Sequence, residues 1–301
     1  DKRVSDWVSQ VRSRARAGVH GPIEFLALDH YLHDMRLYKS RAEVTVMRRA
    51  ARLAAQAHTE LMRRVEPGMY EYQLGAIFGH HCQMAGASQL AYPSIVGGGN
   101  NACVLHYIEN SQPLNDGDLV LVDAGCELEC YASDITRTYP VNGRFSEPQR
   151  ILYELVLEAQ AAAIDKARVG NHWNDPHEAA VRVLTKGLLK LGLLRGTLAK
   201  ALKAKSYSRF YMHRTGHWLG MDVHDVGDYK VDGHWRLLEK GMVLTVEPGL
   251  YIPQGTKGIA KKWQGIGIRI EDDVLVTDGE PDVLSRDVPK SVELIESVMA
   301  K

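Results

Sequence analysis

The first long periodic stretch of the chain places Val44, Met47, Ala51, Leu53, Ala54, Ala57, Leu61 and Met62 at helical spacing among polar residues. It predicts an amphipathic helix, opened by Ser40 and Glu43 at capping-box spacing and closed before Pro67-Gly68. A second helix is expected from about Tyr72 to Met84. The same order then recurs. Ser146 and Gln149 form another cap ahead of Ile151, Leu152, Leu155, Val156 and Ala159, and Asp175-Pro176-His177-Glu178 starts a helix that reaches Leu191-Gly192. Each helix pair precedes a block of strand-length segments: Leu119 to Val122 and Ile135 to Tyr139 in the first block, Met242 to Val246 and Ile266 to Ile270 in the second. No exact sequence repeat accompanies this recurrence. The symmetry lies in the order of elements, and it predicts an α+β architecture with two related halves around one sheet.

Residues 1 to 39 break the pattern. Arg12 to Gly18 is polar, and Gly21-Pro22 interrupts the chain before the apolar Ile23 to Leu28.

Carboxylates recur where the apolar runs end. Asp123 closes Leu119 to Val122, and Asp134 opens the next run, so two strands with a short connection bring both to one point. Glu247 closes Met242 to Val246 before Pro248-Gly249, while Glu271 follows Ile268 and Ile270, with Arg269 two positions earlier on the same strand face. A single Asp after valines is commonly a turn residue. A set of such carboxylates in core-forming sequence needs a counter-charge, because a buried carboxylate is costly unless it is paired or metal-bound. His217 lies between His213 and His224 in the stretch Tyr211 to Asp225, interleaved with Trp218, Leu219, Met221 and Val223. Such a cluster could be a surface metal-scavenging patch or glycine-rich turns, but the apolar interleaving favours a partly buried segment. Asp123, Asp134, His217, Glu247 and Glu271 together form a hard, oxygen-rich donor set suited to two divalent ions.

Composition narrows the functional classes. With 301 residues and 45% hydrophobic side chains the chain can bury a large core. Lys plus Arg and Asp plus Glu are both 37, so no overall field recruits nucleic acid or an anionic membrane. No apolar run approaches the roughly 20 residues of a membrane span, and no secretion signal opens the chain. Cys82, Cys103, Cys126 and Cys130 are too few and scattered for a disulfide framework, which points to a reducing, cytoplasmic setting. Cys126 and Cys130 lack a matching Cys/His pair at structural-zinc spacing and are read as ordinary thiols.

Residues 41 to 301 resemble the catalytic domain of the pita-bread metallopeptidases, and of their aminopeptidase P (Xaa-Pro aminopeptidase) branch in particular. The strings are Leu105-His106-Tyr107, Leu121 to Gly125, Ser133 to Pro140, His213 through Asp225, Val246 to Gly249 and Gly267 to Asp272, in family order. The resemblance implies a pita-bread fold with two pseudo-symmetric halves around a curved, mainly antiparallel sheet. It makes Asp123 a ligand of one ion, His217 and Glu247 ligands of the other, and Asp134 and Glu271 bridges between them. The ions it implies are manganese first, with cobalt or zinc as alternatives. Glu247 would shuttle the proton of a water shared by the ions, His106 and His224 would assist at the reacting peptide, and His213 and Arg269 would hold the substrate on its proline side. Arg269 has a second reading, a salt bridge to a neighbouring carboxylate.

The implied reaction releases an amino-terminal residue from a peptide whose second residue is proline. Prolidase, acting on Xaa-Pro dipeptides, is the nearest alternative, and a non-catalytic metal-binding interaction protein of the same fold is the alternative from another class. Residues 40–301 are expected to be the catalytic domain. Residues 1–39 would be the remnant of an amino-terminal domain and its connecting segment, with a homo-oligomer expected of the longer protein.

Overall fold

A computed structural model of the chain describes residues 2–300. Two helices lead it, α1 (Lys2–Arg12) and α2 (Asp29–Leu37). Val4, Trp7, Val8 and Val11 give α1 an apolar stripe at helical spacing, yet α1 buries none of its side chains, and Trp7, Phe25, Leu26 and Leu28 are exposed. The end of α2 is tied to the remainder, where Leu37 is fully buried and Arg36 reaches Asp222 at 2.8 Å and Asp225 at 2.5 Å.

The next helices, α3 (Arg41–Arg64) and α4 (Glu71–Met84), fall where the periodicity places them. At the start of α3 the Ser40 hydroxyl accepts from the Glu43 amide, and the Glu43 carboxylate accepts from the Ser40 amide at 2.6 Å, satisfying two amides that the first helical turn leaves unpaired. Met47, Ala50, Ala54, Ala57 and Leu61 form its buried face. In the second half, α5 (Glu147–Ile164) opens with Gln149 accepting from the Ser146 amide at 2.9 Å, and α6 (Asp175–Lys190) starts at the predicted Asp-Pro. The short α7 (Leu198–Lys203) follows, and α8 (Val292–Met299) is the last helix.

Strands β1 (Gln89–Leu90), β2 (Ile95–Gly98), β3 (Leu119–Asp123), β4 (Cys126–Leu128), β5 (Tyr131–Ala132) and β6 (Thr136–Pro140) belong to the first half. The second half holds β7 (Lys230–Val231), β8 (His234–Trp235), β9 (Val243–Val246), β10 (Gly249–Ile252), β11 (Ile266–Arg269), β12 (Asp272–Leu275) and β13 (Asp282–Val283). Every strand pair is antiparallel. The pairing is divided among short ladders, of which β2-β3-β6, β13-β12-β9 and β10-β11 surround the centre. The halves meet where the Glu271 amide donates to the Thr136 carbonyl at 3.1 Å.

The connection between Asp123 and Asp134 is itself the small hairpin β4-β5, turned by Glu129 and Cys130 with positive φ. Gly125 permits this fold-back, since a Cβ there would lie 1.7 Å from the Ser133 carbonyl oxygen. Cys126 is buried and Cys130 exposed, and both are free thiols. Among the described residues no helix is long and apolar enough to cross a membrane.

Candidate metal centre

The register of the central ladders delivers the acidic side chains to one place. Asp123 ends β3 opposite Thr136, and Asp134 lies two residues before that threonine. Glu247 and Glu271 flank the other pairing, at the end of β9 and just before β12. Asp134, His217 and Glu271 bring ligand atoms within 4.8 Å of one another. His217 Nε2 is 3.2 Å from Asp134 Oδ2 and 3.8 Å from Glu247 Oε1. Its Nδ1–H donates to the Trp218 carbonyl at 2.9 Å, which directs Nε2 toward the carboxylates. Asp123 is joined to Asp134 through the Tyr92 hydroxyl, 2.6 Å from one and 2.5 Å from the other.

A cavity of about 500 Å³ contains all of this, lined by the five acidic and histidine candidates and also by His106, His213, His224 and Arg269. The His224 ring meets His217 edge-on at 4.3 Å between centroids. His213 Nδ1–H donates to the Arg214 carbonyl, so Nε2 accepts from the Tyr251 hydroxyl at 2.9 Å. Tyr107, next to His106, is pinned by its hydroxyl to Glu71 at 2.8 Å. Arg269 makes the salt bridge of its second reading: NH2 donates to Asp123 at 2.6 Å, NH1 to the Tyr251 hydroxyl at 3.0 Å and Nε to Thr136 at 3.3 Å.

The acids crowd one another. Burial pushes Glu271 well up, with Asp134 and Glu247 beside it adding to the shift. Burial likewise raises Asp134, and it lifts Glu247 to about 7 although His217 and Arg269 pull it down. Burial opposes a charge on His217, but Asp134 and Glu247 prevail and hold it up at about 9. Four carboxylates therefore crowd around His217 and Arg269, a mutual repulsion that divalent cations would relieve. The donor set fits a pair of such ions through Asp123, Asp134, His217, Glu247 and Glu271.

Two contributors were missing from the sequence reading. Tyr92 couples two acids, and the Thr136 hydroxyl donates to Glu271 at 2.5 Å. Tyr92 precedes Pro93 in a loop and carries no periodic signal. Thr136 did stand in a recognised string, and only the strand register reveals which carboxylate it meets.

Antiparallel ladders in two helix-flanked halves, with an acidic and histidine-lined cavity where they meet, define the class of pita-bread proteins. Residues 45–278 match the profile of metallopeptidase family M24, and the chain belongs to that family. It is 47% identical over 268 residues to a Xaa-Pro aminopeptidase of Haemophilus influenzae, covering 89% of this chain and 62% of that protein. With a Xaa-Pro aminopeptidase of Escherichia coli it shares 43% over 299 residues, covering 99% and 67%. Aminopeptidase PepP of Pseudomonas aeruginosa superposes with a TM-score of 0.97 at 57% identity, covering 100% of this chain and 68% of that one. The chain thus spans about two thirds of the length of these relatives, and less than that of the first.

Proposed function

We propose that the chain is the catalytic part of a metal-dependent aminopeptidase that hydrolyses the bond between an amino-terminal residue and a following proline. The observation that carries the reading is the convergence of Asp123, Asp134, His217, Glu247 and Glu271 with His106, His213, His224 and Arg269 on one cavity. Two divalent ions, manganese first, would supply an activated water and polarise the scissile carbonyl when bound. Glu247 would take a proton on its carboxylate and return it toward the departing proline nitrogen. His213 is held neutral, because burial lowers it to about 3. It can therefore face the substrate without repelling the neighbouring Arg269. Proline has a rigid ring and no amide hydrogen, and Ile95, Leu105, Ile108 and Val223 give the cavity apolar wall for such a ring.

Residues 1–39 belong, in this proposal, to a connecting region ahead of the catalytic domain, and the longer protein is a homo-oligomer. A cytoplasmic setting is supported by the free thiols of all four cysteines. Glu247→Gln tests the proton role when metal content is measured beside rate. We expect turnover to fall at least about a hundredfold at unchanged occupancy. Wild-type turnover at normal occupancy would reject it.

A further inference from the structure

The cavity wall holds two guanidinium groups in different electrostatic situations. Arg269 is spent within the protein on Asp123, Tyr251 and Thr136. Arg214 is not: among the described residues no carboxylate lies within ion-pairing distance of it, and its side-chain hydrogen bond, at 2.5 Å, goes to the neutral amide oxygen of Asn174. The group is nonetheless held in place. Its guanidinium carbon lies 4.9 Å from the centre of the Trp235 ring, against which Lys230 also rests at 4.5 Å. Its carbonyl accepts from His213, which fixes the backbone beside the proline-side histidine.

A fixed, exposed guanidinium with unused donors is built to receive a carboxylate. We propose, building on the aminopeptidase reading, that Arg214 binds the α-carboxylate of the residue after proline, making it the specificity-determining residue for short peptides with a free carboxyl terminus. Arg214 lines the same cavity as His213, which the aminopeptidase reading sets beside the proline, so its guanidinium is within reach of the residue that follows the proline. Lys230 adds a second positive charge on the same indole ring. The substrate is thereby oriented from both ends, with its amino end toward the carboxylate side of the cavity and its carboxylate toward Arg214.

The test compares a free acid with its amide on the same protein sample, so any folding defect of a variant cancels in the ratio. In the complete protein, Pro-Ala and Pro-Ala-amide are titrated by calorimetry, and Ala-Pro-Ala and its amide are compared for KM and kcat. We expect the acid to bind about tenfold more tightly and to show a correspondingly lower KM, as for a charge-assisted contact. That ratio should fall to near one in Arg214→Gln, remain partly in Arg214→Lys, and shrink as salt rises. An unchanged ratio in Arg214→Gln, or no preference for the acid in the wild type, overturns the proposal. Failure to cleave any Xaa-Pro peptide would instead strike the aminopeptidase reading, while the binding ratio would still decide the role of Arg214.

Discussion

A lone carboxylate at the end of an apolar strand reads as a turn residue, so Asp123, Asp134, Glu247 and Glu271 were legible only as a set, whose shared burial demands a counter-charge. Tyr92 was not, because a tyrosine before proline in a loop looks like any turn residue. Its hydroxyl fixes the geometry of two acids, so Tyr92→Phe should weaken divalent-metal affinity about tenfold, measured by calorimetry on metal-free protein. An unchanged affinity would reduce Tyr92 to packing. His58 offers a separate test at this scale. It is fully buried, donates to the Ala124 carbonyl at 3.0 Å, and burial lowers it to about 4 against an ordinary 6.5. The folded state thus binds this proton more weakly than the unfolded chain. The associated stability is present above pH 6.5 and is lost as pH falls through 4, an effect of about 3 kcal/mol. His58→Gln can keep the hydrogen bond without titrating. Urea unfolding of the two proteins should therefore show wild type losing ground to the variant between pH 6.5 and 4, whereas a pH-independent difference would contradict the assignment.

Helices were the elements most readily read, since their caps and periodicity are local: Ser40 with Glu43 and Ser146 with Gln149 lie within a single turn. The hairpin between Asp123 and Asp134 escaped because Glu129 and Cys130 adopt positive φ without being glycine. The leading helix α1 went unread although Val4, Trp7, Val8 and Val11 lie at helical spacing, and none of these side chains is buried. Register between strands was equally invisible, although it joins the halves through Arg137. That guanidinium, fully buried on β6, pairs with Asp272 of β12 at 2.7 Å and donates to the Glu271 carbonyl at 2.6 Å. Asp272 stays ionised against the cost of its burial because Arg137 and Lys290 lower it. Arg137→Met leaves the acid with less compensation and should cost about 3–5 kcal/mol in denaturant unfolding. A loss below about 1 kcal/mol would show that the pair does not hold the halves together.

At the scale of the whole molecule, equal numbers of basic and acidic residues conceal a strongly divided interior. Totals cannot report that division, and the acidic centre with Arg214 on the same wall became visible only once both halves were assembled around one cavity. The two-half order of helices and strands, by contrast, was open to reading from hydrophobic spacing, because each half repeats the same local signals. The most direct measurement offers the complete, metal-loaded protein matched Xaa-Pro-Yaa and Xaa-Ala-Yaa peptides, quantifying the released first residue alongside metal content. With two ions per chain, kcat/KM should favour proline at least about tenfold, a difference of about 1.4 kcal/mol in transition-state stabilisation. Equal rates for proline and alanine, or no release from a fully metallated sample, would contradict the account.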